Sequence, residues 1–276
     1  MSDTSYDQTI NAYWGREGLE QAILDTLRAA NKNLDHLTID DLASMDQFHG
    51  GGKRATVRLA RLAGLSPGTR VLDVGGGLGG PARTLAVEFG CQVTSVDLTA
   101  SYVRTAAAFT VRLQLGERVT HRAANALEIP FDDGVFDVVW TQNSGMNIAD
   151  KDRLYAGFHR VLWAGGLLVL QEPMAGPVQP LVFPVMWARD AATSFLRTPE
   201  QMRELIEAAG FRTRDWEDVT EELARPGAAS PSHSIQRLVM GDALADIRHA
   251  GERNRAERRS VMVQAVFERR PPDWFG

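Results

Sequence analysis

Apolar residues recur along this chain with two different periods. Near the N-terminus Leu19, Ile23 and Leu27 fall four residues apart, the spacing of one face of an amphipathic helix. Thr38, with Asp41 three residues on, reads as a capping box with Asp in place of Glu, and predicts a short helix ending before Gly50-Gly51-Gly52. Residues 1–50 cannot build a core of their own. They are expected to lie as a helical extension over a larger domain, 51–276.

From Lys53 onward, helical and strand periods alternate. Lys53 to Ala63 reads as a helix closed by Gly64, and Arg70 to Val74 as a strand. The helices Pro81 to Phe89, Ser101 to Leu115 and Arg153 to Leu162 then alternate with the strands Gln92 to Val96, Val119 to Ala123, Phe136 to Trp140 and Leu167 to Gln171. Gly165-Gly166 is read as the turn that ends the third of these helices. Residues 173–197 are rich in proline and aromatics and predict an inserted lid. Thr198 with Pro199 starts a helix to Ala209. Phe211 to Trp216 and Val261 to Phe267 are the last two strands, with a polar helix or helix pair from Pro231 to Arg259 between them. Repeated strand–helix units predict an α/β fold: a doubly wound, mostly parallel, seven-stranded sheet with helices on both faces.

Composition removes several function classes. Hydrophobic residues are 44% of the 276, enough for a full core, and the net charge of −5 opposes recognition of nucleic-acid phosphates. The single cysteine, Cys91, excludes an internal disulfide and fits a reducing cytoplasm. The first 13 residues are polar, so no secretory signal is expected, and no apolar run approaches a membrane span. Arg253, Arg255, Arg258 and Arg259 are interleaved with Glu252 and Glu257, the pattern of a solvated helix face. No His/Cys/Asp spacing indicates a metal. The expected protein is cytoplasmic, with a small-molecule partner, no nucleic acid and no membrane. Its N-terminal helices offer a route to a homo-oligomer.

The chemistry gathers at Asp73-Val74-Gly75-Gly76-Gly77-Leu78-Gly79-Gly80, between a strand and a helix. Gly75, Gly77 and Gly80 satisfy the G-x-G-x-x-G dinucleotide pattern. Asp97, 22 residues after Gly75, ends the next strand and can accept from both ribose hydroxyls of a nucleoside. Asp73 separates two cofactors. A carboxylate two residues before the first glycine opposes a pyrophosphate seated on the helix N-terminus. It suits the ammonium and sulfonium of S-adenosylmethionine.

In these residues the chain resembles the class I S-adenosylmethionine-dependent methyltransferases, from about Gln47 to Phe267. Asp73-x-Gly75-x-Gly77-x-Gly79 resembles the family's first motif and Asp97 its ribose-binding acid. Phe136-Asp137-Val138-Val139-Trp140 is similar to its fourth strand, and Arg160-Val161-Leu162-Trp163-Ala164-Gly165-Gly166 to the turn before strand five. The resemblance implies a Rossmann-like sheet and S-adenosylmethionine as methyl donor. It also implies a cofactor site holding Gln47, Asp73, Gly75, Gly77, Gly79, Asp97, Leu98, Asn125 and Ala126. Asn125 departs from the family's usual Asp, which accepts from the adenine amino group; an amide oxygen can do the same. Asp46-Gln47-Phe48-His49-Gly50-Gly51-Gly52 and Trp140-Thr141-Gln142-Asn143 resemble a branch holding sarcosine/dimethylglycine N-methyltransferases, tocopherol-type C-methyltransferases and natural-product methyltransferases.

Methyl transfer needs alignment and exclusion of water, and a base only where the nucleophile must lose a proton. His49, Asn143 and Glu172 are the candidate catalytic groups: His49 as base or cofactor contact, Asn143 toward the acceptor, Glu172 as proton acceptor or partner of a cation. Gln142 is assigned to the methionine end of the cofactor. Tyr13, Trp14, Asn147, Phe183, Trp187 and Phe195 are expected around the acceptor, and their aromatic rings favour an apolar acceptor and carbon methylation. N- or O-methylation is the alternative. A nicotinamide-dependent oxidoreductase and a non-catalytic scaffold are the remote ones.

Overall fold

A computed structural model describes residues 3–224 and 235–271. The start of the polar helix expected from Pro231 lies outside the described residues. Helices α1 (Asp3–Trp14), α2 (Leu19–Ala29) and α3 (Ile39–Asp46) precede α4 (Gly52–Ala63), β1 (Arg70–Val74), α5 (Gly80–Phe89), β2 (Gln92–Asp97), α6 (Ala100–Arg112) and β3 (Val119–Ala123). Then come β4 (Phe136–Gln142), α7 (Lys151–Val161), β5 (Leu162–Ala175), α8 (Pro199–Ala208) and β6 (Phe211–Asp218). The chain continues through α9 (Thr220–Leu223), α10 (Ile235–Met240), α11 (Leu244–Ala256) and β7 (Ser260–Arg269).

The seven strands form one sheet in the order β3-β2-β1-β4-β5-β7-β6. The first five pair in parallel, and β7 runs antiparallel between β5 and β6. Central strands are apolar almost throughout because helices cover both faces. Val71, Val138, Trp140 and Val169 pack under α4 and α5, while Leu72, Val139, Leu168 and Phe267 pack under α7 and α8. The chain leaves β1 toward β2 on one side and returns past it to β4 on the other. That reversal is where open α/β sheets hold ligands, beyond the carboxyl ends of the strands.

The N-terminal helices are stitched to this layer. Leu19, Ile23, Leu27, Leu42 and Met45 share a buried cluster with Tyr102 and Phe109 of α6 and with Ile235, Val239 and Ile247 of α10 and α11. The Thr38–Asp41 capping box is present, and Thr198 caps α8 with a second box closed by Gln201. One expectation fails at Gly165-Gly166. The pair sits inside β5, with Gly165 at φ +83°, beside a register shift between β4 and β5. It forms a bulge within a 14-residue strand rather than a helix end. Strand β5 therefore runs on to Ala175, and the irregular cover segment begins after that residue rather than at the expected Pro173.

Candidate active site

The carboxyl ends of β1, β2 and β4 open onto a cleft of about 420 Å³. Its floor is the loop after β1. Gly75 and Gly77 have φ of +74° and +55°, conformations that glycine adopts without cost. A Cβ on Gly75 would lie 2.3 Å from Ser144 Cβ, so the β1 and β4 loops approach closely only because this side chain is absent. Gly77 meets nothing within 4 Å and leaves the floor open to a ligand.

Asp97 ends β2 beside this floor. Its Oδ2 accepts from Gly77 N at 2.9 Å and its Oδ1 from Thr99 N at 2.8 Å. Burial raises its pKa, and those two backbone donors pull it back. Leu98, Asn125, Ala126 and Gln142 also line the cleft, as do His49, Asn143, Trp14, Asn147 and Phe195. Most of the residues assigned to the site from sequence are thus brought together.

Seven are placed elsewhere. Asp73 lies beneath the floor, 1% exposed, with Ser95 Oγ 3.3 Å from its Oδ2. Gly76 covers it: a Cβ there would fall 2.6 Å from Asp73 Oδ2. Gly79 faces His121 and Arg83, and closes the start of α5. Gln47 is buried behind His49 and donates to Thr84 Oγ1 at 2.9 Å. Glu172, expected as a proton acceptor or partner of a cation, does not line the cleft. It is 3% exposed, and its Oε1 accepts from Ser144 N at 3.1 Å and Gly145 N at 2.8 Å. It shapes the loop after β4 from behind, with the buried Lys151 amine donating to Gly145 O and Ile148 O of the same loop. Tyr13, Phe183 and Trp187 do not reach the cleft either. Tyr13 donates to Met186 O at 3.1 Å, and Trp187 Nε1 donates to Ser194 Oγ at 2.9 Å.

Those contacts fasten the cover. Asn147 donates to Trp187 O at 2.9 Å and Thr193 O at 2.7 Å, so its amide ties the β4 loop to the segment between β5 and α8. Phe195 N donates to Met146 O at 2.8 Å and sets its ring on the cleft wall.

His49 occupies a dry position, 8% exposed, and burial lowers its pKa to about 4. Its Nε2 lies 2.9 Å from Gln47 Oε1 and 3.1 Å from Thr56 Oγ1. Behind it runs a chain of buried amides that the sequence reading missed. Gln142 Oε1 accepts from Thr56 Oγ1 and Trp140 Nε1, both at 3.0 Å. Gln171 Nε2 donates to Asn143 Oδ1 at 3.1 Å, and Gln264 Nε2 to Gln171 Oε1 at 2.8 Å. The network holds Gln142 and Asn143 at the cleft edge, the latter at φ +54°.

Other lining residues had no assignment from sequence: Asp7 and Ile10 of α1, Asp46, Phe48, Tyr102 and Asp150. Asp7, Ile10 and Trp14 are spaced i, i+3, i+7, which could have marked one face of α1 as functional. Asp46 forms a buried pair with Arg83 at 2.9 Å, and its pKa is pushed up to about 6 by burial against that ion pair. Among the described residues, four carboxylates line the cleft and no Lys or Arg does. That set of acceptors fits a cationic amino-acid nucleoside. It does not fit a diphosphate.

A model of the methyltransferase domain matches residues 72–170. A sarcosine/dimethylglycine N-methyltransferase from Halorhodospira halochloris is 31% identical over 176 residues, 63% of this chain and 62% of that protein. The 2-methyl-6-phytyl-1,4-hydroquinone methyltransferase of Synechocystis sp. is 30% identical over 233 residues, 77% of this chain and 69% of that one. The chain spans under two thirds of some relatives: 62% of the Halorhodospira protein and 30% of a glycine/sarcosine/dimethylglycine N-methyltransferase from Actinopolyspora halophila. The crystal structure of geranyl diphosphate C-methyltransferase from Streptomyces coelicolor superimposes with a TM-score of 0.71 at 20% identity, covering 98% of this chain and 99% of that one, a likeness of fold. With the glycine floor, the acid at the end of β2 and the seven-stranded sheet in place, the chain belongs to the S-adenosylmethionine-dependent methyltransferases.

Proposed function

We propose that this protein methylates a small, largely apolar molecule that is neutral or cationic and carries no phosphate. One observation carries the reading: Ile10, Trp14, Phe48 and Phe195 line the cleft together with Asp7, Asp46, Asp97 and Asp150, and no Lys or Arg is among the described lining residues. A phosphate or carboxylate acceptor would be desolvated there without a counter-charge.

S-adenosylmethionine bound on the floor would supply a methyl group already activated by a positive sulfur. Asp97 would hold its ribose, and Asn125 and Ala126, which line the same cleft, would border its adenine. Gln142, locked by Thr56 and Trp140, faces the methionine end. The aromatic wall and the cover segment exclude water, so the acceptor meets the methyl group in a fixed line. His49 is neutral at pH 7 and weakly basic, with a pKa of about 4. Glu172 is turned away and engaged by backbone donors. A cleft without a strong base favours a nucleophile that reacts before it loses a proton: an electron-rich ring carbon or alkene, with a neutral amine second and a hydroxyl last.

The test is a transfer assay with methyl-labelled S-adenosylmethionine and matched acceptors, read by mass spectrometry. The expected product is a C-methylated apolar compound, with phosphorylated versions of the same skeleton untouched. Faster turnover of the phosphorylated acceptor would defeat the proposal. So would cofactor binding with no labelled product from any apolar acceptor.

A further inference from the structure

The loop after β3 carries Asn125 where the family resemblance expects Asp, and the structure fixes how this amide is turned. Its Oδ1 accepts from Leu127 N at 2.9 Å. Its Nδ2 points to the carboxylate of Asp7 in α1, at 3.4 Å from Oδ1 and 3.3 Å from Oδ2. Asn125 therefore presents its donor, not its acceptor, to its neighbour across the cleft. Asp7, Asn125 and Ala126 line the cleft together. An adenine amino group is a donor and needs an acceptor. A carboxylate can take several hydrogen bonds at once and is the stronger acceptor.

We propose that Asp7, delivered by α1 and oriented by the Asn125 amide, is the acceptor for the adenine amino group of the cofactor. The carboxylate missing after β3 is restored from the N-terminal helix, 118 residues away in sequence. Asp7 is then a cofactor-recognition residue and Asn125 its positioning residue. Ile10 and Trp14 lie on the same helical face and line the same cleft, so α1 joins cofactor recognition to the acceptor wall. The anchor of α1 is independent of Asp7: Tyr13 is bonded to Met186 O, and Trp14 packs edge-on against Phe48 at 5.5 Å. A substitution at Asp7 therefore leaves the helix attached.

The inference rests on the S-adenosylmethionine reading, and the test keeps the two apart. Binding of S-adenosylhomocysteine and of S-inosylhomocysteine, in which a carbonyl replaces the amino group, is measured by calorimetry on the native chain and on Asp7→Ala, Asp7→Asn and Asn125→Ala. The native chain is expected to prefer the adenosyl ligand by about 10- to 100-fold, the range of a charge-assisted hydrogen bond. Asp7→Ala should lose that preference. Asp7→Asn, whose amide can donate to the inosine carbonyl, should narrow or reverse it. Asn125→Ala should weaken it partway. Native binding of S-adenosylhomocysteine with an unchanged preference in Asp7→Ala overturns this proposal alone. Absence of binding by the native chain overturns the cofactor reading itself.

Discussion

At the scale of single residues, the carboxyl group of Asp73 is held under the glycine loop, directly beneath the cleft-lining Gly76. Burial raises its pKa to about 7, the Ser95 hydroxyl opposes the rise, and the charge of Asp97 adds to it. The raised value fixes a sign. Stability from the protonated form is complete below the unfolded carboxyl range of about 4 and is lost as pH rises through the folded value of about 7. Asp73→Asn should therefore melt several degrees higher than the native chain at pH 8, with the difference vanishing near pH 4. The ammonium of a bound amino-acid nucleoside favours the ionised form. Native affinity for S-adenosylhomocysteine should therefore climb between pH 6 and 8, while Asp73→Asn binds weakly and evenly. Melting curves and calorimetry across that range check both halves. A melting difference independent of pH would refute the burial account. The sequence marks this carboxylate at the head of the loop, but not the fold-back that covers it, because the covering residue is itself a glycine.

At the scale of elements, the strands and the helices after Lys53 were legible because their periods are clean and their ends carry glycine, proline or capping residues. The pairing of the glutamines was not. Gln142 was read as a cofactor contact, and nothing beside it in sequence links it to Gln171 and Gln264 on the adjacent strands; each is 7% exposed or less because the amides satisfy one another. Pairing partners on separate strands leave no local signal in sequence. Gly80 is similar. It completes the glycine pattern, and nothing in the sequence signals its packing role: it is the first residue of α5, and a Cβ there would lie 2.3 Å from the backbone oxygen of Asp46. The small residue lets the end of α3 dock on α5 and sets the Asp46–Arg83 pair. Gly80→Ala is expected to cost about 1–3 kcal/mol through this overpacking, seen as a lower denaturant midpoint. Gly116→Ala, with open space around its Cβ, should be close to neutral. Equal midpoints for the two variants would remove Gly80 from its structural role.

At the scale of the whole molecule, a chain with a net charge of −5 gathers four carboxylates around one cleft and closes it from two distant parts of the sequence. The first is α1. The second is the segment between β5 and α8, tied down by Asn147 and Tyr13. Both closures were expected from the sequence as a helical extension and a lid, but the contacts that fasten them were not, because Tyr13 and Asn147 bond to backbone oxygens that any residue could present. Asp46 is balanced by Arg83, and the other acidic side chains repel across the shared space, which weakens the empty fold. A ligand carrying positive charge relieves that repulsion, while a diphosphate compounds it. S-adenosylmethionine at 100 times its dissociation constant should add about 2.7 kcal/mol to stability. For a domain of this size that raises the melting temperature by roughly 5–10 °C. NAD, which shares the adenosine but brings two phosphates, should give no shift at the same concentration. Parallel melting curves with the two ligands decide it: equal protection would mean that the cleft reads the adenosine alone and that its carboxylates set no preference between sulfonium and phosphate.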